Sequence, residues 1–231
     1  FNLQVQRGET LVLLGRSGSG KTSTLKLINH LLVPTGGQVC VKGVSTTESD
    51  VIHLRRSIGY VIQDVGLFPH FTVERNIGLV PRIEGWAVER IRARVDELMQ
   101  LVGLAPELLS RYPHQLSGGQ RQRVGVARAL AADPEILLMD EPFGALDPLT
   151  RDDLQREFSS LQKRLCKTVV FVTHDLREAV RLGSRIALME AAKLVAVLPP
   201  DEFLRSNDPW AAAYVRAFGE GLEAARNRGT S

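Results

Sequence analysis

Thr10-Leu-Val-Leu-Leu14 runs without a break into Gly15-Arg-Ser-Gly-Ser-Gly-Lys21-Thr22. An apolar run of this length bounded by glycine reads as a central parallel strand, buried on both faces. The eight residues after it fit G-x-x-x-x-G-K-[ST]. A helical pattern follows from Lys21 to Leu32, closed by Pro34 and Gly36-Gly37, so the loop has the context that the pattern requires. Glycines let consecutive backbone N–H groups point inward around phosphate oxygens, and the helix N-terminus adds partial positive charge. In such a loop the lysine bridges the β- and γ-phosphates of a nucleoside triphosphate, and the Thr22 hydroxyl ligates Mg²⁺. The candidate phosphate-side contacts are Gly15, Arg16, Ser17, Gly18, Ser19, Gly20, Lys21, Thr22 and Ser23. A plain glycine-rich turn is the competing reading. Average residue usage yields the pattern by chance in roughly one chain of this length in a hundred, and the strand–helix context lowers that further.

Outward from this junction, further strand-like runs are Val39 to Val41, Ile58 to Ile62, Ile136 to Met139, Thr168 to Val172, Arg185 to Met189 and Leu194 to Leu198. Helical patterns lie between them. Ile91, Val95, Leu98 and Val102 recur at helical spacing and give a one-sided helix. Strands alternating with helices predict an α/β fold with a mainly parallel sheet. From about residue 72 to 132 the pattern holds helices and loops but no strand. That is too long for a crossover and reads as an inserted helical subdomain. The polar tail after Phe218 is expected to fray.

Ile136-Leu-Leu-Met-Asp140-Glu141 carries the second chemical signal. A buried strand ending in Asp140 sets a carboxylate at the sheet's C-terminal edge, where it can hold Mg²⁺ beside the phosphate loop. Glu141 is then placed to polarise an attacking water as general base. An acidic turn is the ordinary alternative; the phosphate loop upstream tips the balance. Leu116-Ser-Gly-Gly-Gln120 is the third signal. Ser117 could simply cap the helix that runs through Arg128, but a glycine-rich helix start is also an anion site.

Composition narrows the class. Among 231 residues, 44% are hydrophobic and 24% charged, which is globular and excludes disorder and collagen-like repeats. No apolar run approaches the roughly 18 residues of a membrane span. The net charge of +3, from 29 basic and 26 acidic residues, is no nucleic-acid footprint. The Arg-rich stretches are interleaved with helix-period apolar residues, as on solvated helix faces or phosphate-adjacent positions. Cys40 and Cys166 lack metal-ligand spacing, which argues against a zinc site or disulfide scaffold and suits a reducing cytosol. No secretory signal opens these residues. No G-x-G-x-x-G follows any strand, so a nucleotide-binding dehydrogenase is not supported.

The order of phosphate loop, Gln63, LSGGQ at 116–120, ILLMDE at 136–141, Ala145-Leu-Asp147 and His174 resembles that of an ATP-binding cassette (ABC) transporter ATPase over nearly the whole chain. The resemblance implies a P-loop NTPase (RecA-like) core, residues 1–71 and 133–231, with a helical subdomain at 72–132. It implies ATP and Mg²⁺ as cofactors, with Thr22, Gln63 and Asp140 at the metal. Catalysis would rest on Glu141, His174 and Gln63, with Gln63 and His174 also touching nucleotide. On its own, His174 would read as a satisfied surface residue, so its role comes from the family order. Two subunits would sandwich ATP head to tail, with Ser117, Gly118, Gly119, Gln120 and Asp147 acting in trans. Further partners would be transmembrane permease subunits and, indirectly, an extracytoplasmic solute-binding protein. The chain would sit peripherally on the cytoplasmic face of the plasma membrane.

Ile58 to Val73, Ile77 to Trp86, and Tyr112 to Gln120 with Arg123-Val-Gly-Val-Ala-Arg-Ala-Leu130 are similar to bacterial osmoprotectant importers, which carry glycine betaine, choline, proline betaine or related quaternary amines. Importers for taurine, nitrate, polyamines or amino acids share parts of this pattern. Arg16 replaces a frequent proline, with little effect expected. No CBS module of the kind some relatives carry lies within these residues, and sensing through one is not carried over. A soluble ABC protein would normally have two fused cassettes or a long coiled-coil insertion. A non-catalytic regulator would be expected to lack Glu141. The family stacks adenine on an upstream aromatic, and Phe1 stands too close to the loop. We therefore expect an N-terminal segment bearing a Tyr, Phe or Trp to precede these residues.

Overall fold

The computed structural model describes residues 2–63 and 65–226, with side chains described as far as residue 217. In chain order its elements are β1 (Thr10–Gly15), α1 (Lys21–Ile28), β2 (Cys40–Val41), β3 (Val44–Ser45), α2 (Val51–Ser57), β4 (Ile58–Val61), α3 (Val73–Ile77), α4 (Leu79–Ile83), α5 (Val88–Leu101) and α6 (Gly118–Leu130). Then come β5 (Ile136–Asp140), α7 (Pro148–Leu165), β6 (Thr168–Thr173), α8 (Leu176–Leu182), β7 (Arg185–Glu190), β8 (Lys193–Leu198), α9 (Pro200–Leu204) and α10 (Pro209–Arg226).

Six strands form one sheet in the order β4-β5-β6-β1-β7-β8. The first five run parallel, and β8 returns antiparallel against β7. All six residues of β1 are buried, as expected of a strand covered on both faces. Strand alternation divides its apolar side chains between two cores. Val12 and Leu14 join Val61, Met139 and Phe171 in the larger core. Leu11 and Leu13 join Leu25 of α1, Leu54 of α2 and Val172 in the other. Full burial of a leucine of this kind stabilises by about 1.5–3 kcal/mol. The parallel register then aligns the strand ends: Leu14 is opposite Thr173, and Asp140 is opposite Val172.

Every regular element from Val73 to Leu130 is helical. Ile91, Val95 and Leu98 form the buried stripe of α5. Asn76, fully buried on α3, clamps the preceding loop. Its Oδ1 accepts from Phe68 N at 2.8 Å, and its Nδ2 donates to the carbonyls of Phe68, Phe71 and Thr72, each at 3.1 Å.

Three elements differ from the sequence reading. The first helix stops at Ile28 rather than Leu32. His30 adopts a left-handed φ of 55°, and Leu31 N–H reaches back to Lys26 O at 2.8 Å. This closes the helix by a Schellman-type turn without glycine. The Val39–Val41 run pairs only from Cys40, in a two-stranded ribbon with β3 outside the main sheet. The Lys42-Gly43 turn, with positive φ at both residues, makes a hairpin there. The strand expected to reach Ile62 ends at Val61, where the chain turns toward Gln63. The backbone of α10 continues as helix through Arg226; the tail beyond it, and Phe1, lie outside the described residues.

Candidate active site

The phosphate loop leaves β1 at Gly15 and turns directly into α1. Gly15 cannot carry a side chain, because a Cβ there would stand 2.3 Å from Met189 O and 2.6 Å from Ser19 Oγ. Gly20, the residue before α1, has φ 94°, a left-handed geometry that glycine adopts without steric cost. Lys21 folds back over the loop, its Nζ donating to Gly15 O and Arg16 O, both at 2.8 Å. Burial lowers the Lys21 pKa, while Glu141, Asp140 and Glu190 oppose that shift. The ammonium is thus held by two carbonyls that a phosphate could replace.

Asp140 ends β5 and is buried. Thr22 Oγ1 donates to its Oδ1 at 2.9 Å, joining the helix start to the strand end across the floor of the site. Burial raises the Asp140 pKa; the Thr22 hydrogen bond opposes this and the Glu141 charge adds to it. The next residue, Glu141, has a left-handed φ of 43°. That strained backbone turns its carboxylate out of the strand toward His174, whose Nδ1 lies 3.1 Å from Glu141 Oε2. His174 follows β6 directly and is exposed.

These groups border one cavity of about 700 Å³. Its wall holds Arg16, Ser17, Gly18, Ser19, Gly20, Lys21, Thr22 and Ser23 together with Gln63, Glu141 and His174. Asp140 reaches the same place through Thr22. The volume lies within the range of small-ligand sites.

Ser117, Gly118, Gly119, Gln120 and Asp147 are not among the described residues of that wall. Ser117 caps α6 reciprocally: its Oγ accepts from Gln120 N at 3.2 Å, and Gln120 Oε1 accepts from Ser117 N at 2.9 Å. Gly119 lies against α7, where a Cβ would stand 2.7 Å from Thr150 Cγ2. Asp147 caps α7, accepting from Thr150 N at 3.1 Å. Hydrogen bonds from the Thr150 side chain and then its backbone hold the Asp147 carboxyl below the usual range.

Sequence reasoning missed three groups. Trp210 and Tyr214 of α10 complete the cavity wall, with Ala213 and Ala217 between and beyond them. Their i, i+4 spacing was the available signal, but nothing in sequence ties a distant helix to the phosphate loop. Arg128 of α6 donates to Val65 O and Gly66 O, both at 2.7 Å, and so holds the segment after Gln63. Burial lowers its pKa. Glu178 of α8 is buried, accepting from Thr173 Oγ1 at 2.5 Å and Gln155 Nε2 at 2.9 Å; Thr173 immediately precedes His174.

Residues 1–144 match the family described as ABC transporter. The chain is 54% identical over 206 residues to the Bacillus subtilis glycine betaine/carnitine/choline transport ATP-binding protein OpuCA, covering 89% of this chain and 54% of that protein. It is 54% identical over 195 residues to the Escherichia coli glycine betaine uptake system ATP-binding protein YehX, covering 84% and 63% of the two chains. The chain thus spans little more than half the length of the first of these relatives. Among solved structures, the dimeric ATP-binding cassette MJ0796 bound to ADP and Pi superposes with a TM-score of 0.78 at 35% identity, over 86% of this chain and 88% of that one. The cbiO1 protein of Clostridium perfringens, part of the transporter complex cbiONQ, superposes with a TM-score of 0.82 at 27% identity, over 96% and 90%. The fold is therefore that of P-loop NTPase cassettes.

Proposed function

This chain belongs to the ABC transporter family, and on that premise we propose that it is the ATP-hydrolysing subunit of an importer for osmoprotectants of the quaternary-amine class. The observation that carries the chemistry is the convergence of Lys21, the Thr22–Asp140 pair and the Glu141–His174 pair on one cavity. In this reading residues 1–71 and 133–231 are the catalytic core, and 72–132 the helical subdomain.

The γ-phosphate of ATP replaces the two carbonyls as the partner of Lys21, and loop N–H groups from Gly18 to Thr22 bind phosphate oxygens. Glu141 accepts a proton from water as the water oxygen attacks the γ-phosphorus and the bond to the β-phosphate oxygen breaks. His174 orients that carboxylate and contacts the γ-phosphate; Gln63 positions the water. The oxygen donors of Thr22, Asp140 and Gln63 suit Mg²⁺, a hard cation that prefers oxygen ligands. When bound, Mg²⁺ would neutralise charge on the β- and γ-phosphates.

Ser117, Gly118, Gly119, Gln120 and Asp147 are assigned to the partner's site in a head-to-tail homodimer. Two things support this: Ser117 is exposed at a helix start outside its own cavity, and MJ0796 is solved as a dimer. The segment from Gly59 to Trp86, in which Phe68 is 41% exposed, is assigned as the surface offered to a permease. A peripheral position on the cytoplasmic face is in keeping with the absence, among the described residues, of any helix long and apolar enough to cross a membrane. An extracytoplasmic binding protein would act through the permease.

The substrate class rests on the relatives named for glycine betaine, carnitine and choline. It is tested by uptake of labelled glycine betaine or choline at high osmolarity, with and without this gene and with other uptake systems deleted. Loss of taurine or polyamine uptake instead, with betaine and choline unchanged, would remove the substrate assignment and leave the ATPase.

A further inference from the structure

His174 stands in the link between β6 and α8, and its side chain is 59% exposed. Packing on so open a ring cannot hold the imidazole 3.1 Å from Glu141 Oε2, so its aim comes from the backbone that carries it. That backbone is pinned on both sides. Thr173, the last residue of β6, is opposite Leu14 of β1, one residue before the phosphate loop begins. Its Oγ1 accepts from Asp175 N at 3.0 Å, an i to i+2 turn with His174 at its centre. Asp175 in turn caps α8, accepting from Arg177 N at 2.8 Å.

The Thr173 hydroxyl belongs to a buried network. It donates to Glu178 Oε2 at 2.5 Å, while Gln155 Nε2 donates to Glu178 Oε1 at 2.9 Å. Arg181 Nη1 donates to Gln155 Oε1 at 3.1 Å, which fixes the amide with its N–H groups toward the carboxylate. Thr173, Glu178 and Gln155 are all buried, so the turn is braced from β6, α8 and α7 at once. A carboxylate only accepts. The hydroxyl proton therefore points at Glu178, and a lone pair is left for Asp175 N–H. Both donors to Glu178 are neutral side chains, and burying a charge on such terms costs stability. An apolar residue at this position would fill the helix face without that cost, so the carboxylate has another reason to be there.

We propose that Glu178 is the positioning residue for His174: by orienting the Thr173 hydroxyl it locks the turn that aims the imidazole at Glu141. The inference rests on the reading of His174 as a catalytic group. Glu178 is not among the described residues of the cavity wall, so it acts through Thr173 and not on the reacting atoms. Its contribution is geometric. With the turn locked, the exposed ring keeps one direction; with the turn loosened, it swings toward solvent and leaves the carboxylate unheld.

The test is a mutant cycle on the whole chain. Thr173→Val removes the hydroxyl and keeps the branched shape of a strand residue. It should lower kcat for ATP hydrolysis about tenfold or more, the scale of a misaimed catalytic group, with ATP affinity by calorimetry unchanged. Thr173→Ser, which keeps the hydroxyl, should retain most of the parent rate. In a His174→Ala background, Thr173→Val should lower the rate no further, since the group that it aims is gone. A merely structural defect would instead multiply with the loss of the histidine. Where Thr173→Val does not fold, the pair Thr173→Val and Glu178→Leu carries the same cycle, because removing donor and buried charge together can be nearly neutral for stability. A parent-like kcat, or an equal loss with and without His174, overturns the positioning role and leaves His174 catalytic. If His174→Ala itself hydrolyses ATP at the parent rate, the catalytic reading of His174 falls and the proposal with it.

Discussion

His174 Nδ1 lies 3.1 Å from Glu141 Oε2, although the two residues are 33 positions apart. The contact exists because β5 and β6 are parallel neighbours that end in register, Asp140 opposite Val172. Glu141 N–H then donates to Val172 O at 3.0 Å, anchoring the turn that follows β5. A left-handed φ at a residue with a long side chain costs on the order of 1–3 kcal/mol and persists only where the surroundings impose it. Here the strain aims a carboxylate into the cavity instead of along the strand.

The first prediction follows from that aim. Glu141→Gln should keep ATP binding and lower hydrolysis by about 10² to 10⁴, the range for loss of a general base. Lys21→Ala should instead lose binding. Phosphate release and equilibrium binding, measured side by side, separate the two variants; near-normal turnover by Glu141→Gln would remove the base assignment.

Ser117 has two roles to tell apart. As N-cap of α6 its loss to alanine should cost about 1 kcal/mol of stability, read from urea unfolding. If it also meets the partner's γ-phosphate, Ser117→Arg should bind ATP through its own loop yet hydrolyse poorly. Specific activity should fall on dilution of the parent chain as dimers separate. A rate strictly proportional to concentration down to high dilution would contradict assembly in trans.

The third prediction concerns pH. Burial raises the Glu178 carboxyl above its ordinary value of 4.5, against the opposing hydrogen bond from Thr173. A group with a raised folded-state pKa contributes stability fully below its unfolded value, and loses it as pH climbs through the folded value. The parent chain should therefore lose stability as pH rises out of the ordinary carboxylate range. Asp140, raised by burial as well, adds a change of the same sign. Glu178→Gln, neutral throughout, should flatten the profile without abolishing it. Urea midpoints from about pH 5 to pH 8 check this, and an unchanged slope would count against it.

Ala191 and Ala192 form the two-residue turn between β7 and β8, with φ of 46° and 60°. Turns of this kind favour Asn-Gly, since an ordinary L-residue resists positive φ at about 1–2 kcal/mol. Ala192→Gly should therefore stabilise by about 1 kcal/mol, and Ala191→Asn should add to it. The turn abuts Gly20, so ATP affinity should be measured in the same variants. A fall in the unfolding midpoint would show that the alanines make contacts worth more than the strain.

Much of this molecule was legible in one dimension because its signals are local. Thr10 to Leu14 spells a doubly buried strand, and Gly15 to Thr22 spells the turn that must follow it, since only glycine tolerates Met189 O where a Cβ would be. Asp140 and Glu141 were readable for the same reason, as the polar end of an apolar strand. Other features depend on register and packing. The stop of α1 at Ile28 follows from His30 adopting a left-handed turn, a conformation that non-glycine residues enter only uncommonly and that packing has to select. The Val39–Val41 run leaves the main sheet because its hydrogen-bond partner is its own hairpin. The meeting of Glu141 with His174 required two strands to align. The approach of Trp210 and Tyr214 to the phosphate loop required a helix nearly two hundred residues downstream to dock on the core through Ala211. Backbone sterics and strand burial are written in neighbouring residues, whereas contacts between distant segments are set by how whole elements pack, and only the tertiary structure decides those.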